Sequence, residues 1–93
     1  MKVVIKYPSG RESEYSDILL VSGMVYDPEQ AVYILKGKTS DGEWEHIRMF
    51  CEMNEDKLAD ILIKLRKGLE KSYYKREPVR FKINERCEVV EEI

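Results

Sequence analysis

Ninety-three residues make one modest domain, with chain enough for a single core and too little for two. At 43% hydrophobic and 37% charged, with a formal net charge of -2, the composition excludes a disordered tail. No window nears the roughly 18 consecutive apolar residues of a membrane helix, and the opening MKVVIKYPSG turns polar too soon for a signal peptide, so a cytoplasmic protein without membrane contact is expected.

KVVIKY (2–7) is an apolar run rich in β-branched residues and reads as a strand, closed by the turn residues Pro8, Ser9 and Gly10. RESEYSDILLVSGMVY (11–26) starts polar and becomes apolar from Ile18, as in one long strand that enters the core late or bends at Gly23. Asp27-Pro28 opens a second turn, and AVYILKGK (31–38) is a third strand. TSDG (39–42) carries the hairpin signal Asp-Gly, from which EWEHIRMFC (43–51) returns as a fourth strand. Two-residue alternation puts Trp44, His46, Arg48 and Phe50 on one face and Ile47, Met49 and Cys51 on the other.

Asn54 is a suitable N-cap, with Glu55 and Asp56 where the helix dipole favours negative charge. Leu58, Ile61, Leu62, Leu65, Leu69 and Tyr73 recur at helical spacing, predicting an amphipathic helix over 55–75, in which Gly68 costs about 1 kcal/mol relative to Ala. Pro78 stops it. VRFKI (79–83) then alternates, Val79, Phe81 and Ile83 inward and Arg80 and Lys82 outward, and CEVVEEI is available as a last strand or pairing tail. The expected architecture is a single α+β domain: an antiparallel sheet or small open barrel of five to six strands with one long helix, in the order ββββαβ.

Cys51 and Cys87 are distant and lack zinc-site spacing or the density of a disulfide scaffold, so two reduced structural thiols are expected. Scarce Asn, Gln and Thr beside plentiful Lys and Glu lean toward a heat-adapted source. No catalytic constellation, metal-ligand spacing or phosphate-binding glycine loop is present, and neither an enzyme nor a cofactor is expected.

Two surfaces carry binding chemistry. Trp44, His46, Arg48 and Phe50 could stack on or hydrogen-bond to a planar ligand, although the commoner role of such a Trp and Phe is to fill the core while the Arg snorkels. Residues 64–86 hold nine basic against three acidic residues, between two acidic stretches. Lys64, Lys67, Lys71 and Lys75 run along the helix away from the leucines, continue into Arg76, Arg80, Lys82 and Arg86, and interleave with Tyr73 and Tyr74. Such a stripe could meet phosphates, with Tyr74 stacking a base; an ordinary solvated face is the more frequent meaning of the same pattern.

Residues 3–50 resemble a divergent WYL domain: a first strand ending in Tyr7, a glycine turn, a long strand, Val32-Tyr33-Ile34 in place of the name-giving triplet, and Arg48-Met49-Phe50 as the Arg-x-Phe. The resemblance implies a small SH3-like or Sm-like barrel that senses a ligand, often nucleic acid or a nucleotide, with Tyr33, Arg48 and Phe50 as site residues. The expected function is a non-enzymatic regulatory module binding nucleic acid or a nucleotide. The competing expectation is a module that docks a protein partner through a sheet edge and its acidic half, with edge-to-edge homodimerisation as a natural accompaniment.

Overall fold

A computed structural model describes residues 1–24, 31–49 and 51–92. Their strands and helix follow in the order β1 (Val3–Lys6), β2 (Glu12–Tyr15), β3 (Asp17–Met24), β4 (Ala31–Lys38), β5 (Trp44–His46), α1 (Glu55–Lys75), β6 (Val79–Ile83) and β7 (Val89–Glu91). The turn expected at Asp27-Pro28 and the candidate Phe50 lie outside the described residues.

The fold is α+β, in two sheets of order β2-β1-β6-β7 and β3-β4-β5 that do not close into a barrel. All neighbouring strands are antiparallel except β1 and β6, which run parallel with Val3 opposite Val79 and Ile5 opposite Phe81. The long strand expected over 11–26 is two strands in different sheets. The inward residues Tyr15 and Ile18 are three apart, so the two-residue alternation slips at Ser16, whose N–H donates to the Lys38 carbonyl at 2.8 Å. One stretch of chain thereby leaves the first sheet and enters the second.

The helix forms where local rules place it. The Asn54 side chain accepts from the Lys57 N–H at 2.9 Å, and Arg76 ends the helix in the left-handed region at φ 57°. Its buried stripe of Leu58, Ile61, Leu65 and Leu69 packs against β1 and β6 of one sheet and β3 and β4 of the other, so one helix covers both. A Cβ on Gly68 would overlap the Phe81 ring and come within 3.3 Å of Val3, so the residue that weakens the helix is the one that lets it approach β6.

The stripe ends on Ser72 instead of Tyr73, which is exposed. The Ser72 hydroxyl accepts from the Lys2 N–H at 3.0 Å and donates to the Leu69 carbonyl at 2.6 Å, so this buried position is filled by a polar side chain that meets the incoming backbone. Ser72→Ala strands the Lys2 N–H and is expected to lower stability by about 1 kcal/mol, read as a reduced urea midpoint with an unchanged slope.

Cys51 and Cys87 form a disulfide, with Cα atoms 6.1 Å apart, contrary to the expectation of two reduced thiols. They lie thirty-six positions apart in sequence, and the folding of α1 and β6 between them closes that gap. Two sheet edges each have one backbone acceptor occupied by a helix side chain. In β3 the Ile18 carbonyl, which faces away from β4, accepts from Arg66 Nε at 3.1 Å; in β7 the Val89 carbonyl, facing away from β6, accepts from Lys64 Nζ at 2.8 Å. Such capping blunts edges that would otherwise pair with another chain.

Candidate ligand-binding face

The β4–β5 hairpin decides which side of the fourth strand meets water. Its register sets Lys38 opposite Trp44, Gly37 opposite Glu45 and Lys36 opposite His46, so Lys36, Lys38, Trp44 and His46 share one face of the ladder. The other face is filled by Tyr15 of β2, whose buried ring lies on Gly37 so closely that any Cβ there would overlap it. Ile47 is buried on that inner side, and Trp44, His46 and Arg48 point outward, Trp44 with 39% of its surface exposed. The commoner expectation, an indole inside the core, is overturned because the inner position opposite β2 is already taken.

Inward of this face lies the junction of the two sheets. Tyr15 Oη donates to Glu45 Oε2 at 3.2 Å, Arg11 Nη2 donates to Glu45 Oε1 at 3.1 Å, and the Tyr7 and Tyr15 hydroxyls lie 3.2 Å apart. Burial, followed by the bond to Tyr15, pushes the Tyr7 phenol well above its ordinary value, and burial likewise raises Tyr15, so both stay neutral donors. With Ser9, His46 and Arg48 these residues line an open cleft of about 390 Å³. His46 is held below the usual imidazole range by partial burial first, then by the charges of Arg48 and Lys36.

Comparison with protein-family models, curated proteins and solved structures gave no match. The WYL-like reading of residues 3–50 therefore rests on the residues quoted for it.

Of the expected site residues, Trp44 and Arg48 come together here. Tyr33 does not join them: it lies on the inner side of β4 with Leu35, partly buried against the core, and its phenol is raised by the Glu55 charge, then by desolvation and a hydrogen bond to the same carboxylate. The basic stripe is elsewhere and is partly spent on the fold. Lys64 caps β7, and Lys71 Nζ pairs with Glu91 at 2.8 Å, with Lys67 between them in a groove floored by Gly68, Phe81 and Val89. Arg80 pairs with Glu12 at 3.3 Å. Lys75 and Arg76 are exposed at the helix end, beside Tyr73 and Tyr74, whose rings meet edge to face with centroids 5.5 Å apart.

Lys36, Lys38, Arg11 and Glu45 are the residues that sequence reasoning passed over. The two lysines carried a usable signal: a hairpin closed by TSDG already sets Lys36 opposite His46 and Lys38 opposite Trp44. Arg11 and Glu45 had none, being brought together only by the meeting of the two sheets.

Proposed function

We propose that the protein is a non-enzymatic binding module whose ligand is a nucleotide or single-stranded nucleic acid, held on the outer face of β4 and β5. The observation that carries this is the exposed Trp44 on one face with His46 and across the ladder from Lys38 and Lys36, with Arg48 exposed just beyond the strand. An indole left in water gives up burial energy of a few kcal/mol, and a base stacked on it returns about 1–3 kcal/mol. The flanking cations meet phosphates. An intracellular setting suits such a ligand, and disulfides persist there in heat-adapted sources, in keeping with the Lys- and Glu-rich composition.

Anisotropy of labelled single-stranded RNA, single-stranded DNA and duplex DNA, titrated at about 50 and about 200 mM salt, tests it. Trp44→Ala is expected to weaken single-strand binding about tenfold with its salt dependence intact. Lys36→Ala and Arg48→Ala should each flatten the salt slope by about 0.7. Lys67→Glu should leave affinity nearly unchanged. Loss of binding in Lys67→Glu but not in Trp44→Ala would place the ligand on the helix and reject the β4–β5 face.

A second function, docking of a protein partner, is favoured by the exposed Tyr73 and Tyr74 at the helix end. The end of α1 is a better seat for it than the β3 or β7 edge, because Arg66 and Lys64 occupy backbone acceptors there. A partner retained after nuclease treatment and lost in Tyr73→Ser/Tyr74→Ser would support it.

A further inference from the structure

We infer that the cleft between Tyr7, Arg11, Tyr15, Glu45, His46 and Arg48 seats a terminal phosphate monoester of the ligand, so that the module reads phosphorylated ends. This rests on the nucleotide-binding function proposed above and names the ligand feature that its site selects.

The back of the cleft is already built. Glu45 uses one oxygen on Arg11 and the other on Tyr15, and Tyr15 is backed by Tyr7, so the carboxylate is fixed in place and its charge is answered. The rim is different. Among the described residues, Arg48 and Lys36 hold no ion pair, and both lie close enough to His46 to lower its proton affinity. The charged and titratable groups around that imidazole are Lys36 from β4, Glu45 and Arg48 from its own strand and its continuation, and Arg11, Tyr7 and Tyr15 from the facing sheet. Arg48, free of an ion pair, and His46 thus line the cleft itself, and Lys36 stands across the ladder from the imidazole.

An anion there gains most if it carries close to two charges. A phosphate monoester does, at about -1.5 to -2 near neutral pH, and it offers three acceptor oxygens; a diester inside a strand carries a single charge. The guanidinium of Arg48 can take two of those oxygens at once. The cleft volume, about 390 Å³, is at the small end of ligand pockets and suits a phosphate with its sugar. Trp44 lies one side-chain repeat from His46 along the strand, roughly 7 Å, which lets the terminal base stack on the indole while its phosphate enters the cleft.

The full chain is titrated with short oligonucleotides of one sequence ending in a 5′-phosphate, a 3′-phosphate or hydroxyls at both ends, with the imidazole proton signals of His46 followed in parallel. His46 is the only histidine, so its signal is unambiguous. One phosphorylated end is expected to bind about tenfold more tightly than the hydroxyl strand. It should also raise the His46 pKa from its depressed position, because the dianion replaces repulsion with attraction. His46→Gln should reduce that preference, and Arg48→Ala should reduce it further while also weakening the hydroxyl strand, since Arg48 belongs to the proposed binding face. Competition by a nucleoside monophosphate assigns the seat to mononucleotides, and its absence assigns the seat to strand ends; either upholds the phosphate site. Equal affinity for all three ends with an unmoved imidazole overturns the phosphate site while leaving nucleic-acid binding in place, whereas no binding to any strand overturns both.

Discussion

Alanine at both Cys51 and Cys87 is expected to lower the unfolding free energy by about 4 kcal/mol, the chain-entropy value for a loop of this length. The bond ties the segment leading into α1 to the turn between β6 and β7, enclosing the helix and β6. That turn is otherwise held by Asn84, whose side-chain oxygen accepts from the Arg86 and Glu88 N–H groups at 3.0 Å, and Cys87 sits in it buried at a positive φ of 58°. Without the cross-link the unfolded chain regains the freedom that the loop closure denied it. Alanine avoids adding a hydroxyl to the buried position. Urea unfolding of the parent with and without reductant supplies the comparison: reductant should shift the parent by the same amount and leave the double variant where it was. A parent midpoint indifferent to reductant would mean that the thiols are free in solution.

Gly37→Ala is expected to cost about 2 kcal/mol, although alanine in a strand normally gains on glycine. The added carbon would overlap the side of the Tyr15 ring, including Cγ, the ring atom nearest the backbone. That ring has little room to move, because Tyr15 is buried in β2 and its hydroxyl is bonded to Tyr7 and Glu45. Displacing it disturbs the joint between the sheets, so weaker phosphate-end binding should accompany the lower urea midpoint. Tyr15→Leu in the Gly37→Ala background separates the causes. A branched aliphatic chain accommodates the new carbon, and much of the lost stability should return without the hydroxyl network. A Gly37→Ala protein as stable as the parent would show that the ring is not held against β4.

The helix was legible to the residue because everything that defines it is local. Asn54 caps it, acidic residues occupy its first turn, the leucines recur at 3.6-residue spacing, and Pro78 follows its end. β6 was legible for a similar reason, its alternation of Val79, Phe81 and Ile83 with Arg80 and Lys82 matching the burial observed. The hairpin at TSDG closed as expected, with Thr39 N–H donating to the Glu43 carbonyl at 2.8 Å. The break between β2 and β3 left a trace, in the odd spacing of Tyr15 and Ile18, but only a known second sheet gives that spacing its meaning.

The orientation of the candidate site had no comparable local cause. The strand expected over 43–51 is regular only at Trp44–His46, and in the sequence of that stretch both alternating sets hold apolar residues, one Trp44 and Phe50 and the other Ile47, Met49 and Cys51, so alternation separates the faces without ranking them.

By itself the amino-acid order determined the α+β class, the helix with its cap and stop, and the approximate position of most strands, since capping, turn chemistry and periodicity act over a few neighbouring residues. The tertiary structure decided the parallel pairing of β1 with β6, the disulfide, the employment of Lys64, Arg66 and Lys71 as ties within the fold, and the outward turn of Trp44. Each of these depends on contacts between residues far apart in the chain, and the last goes with an inner face of the hairpin that already holds the Tyr15 ring on Gly37 and the buried Leu35 and Ile47.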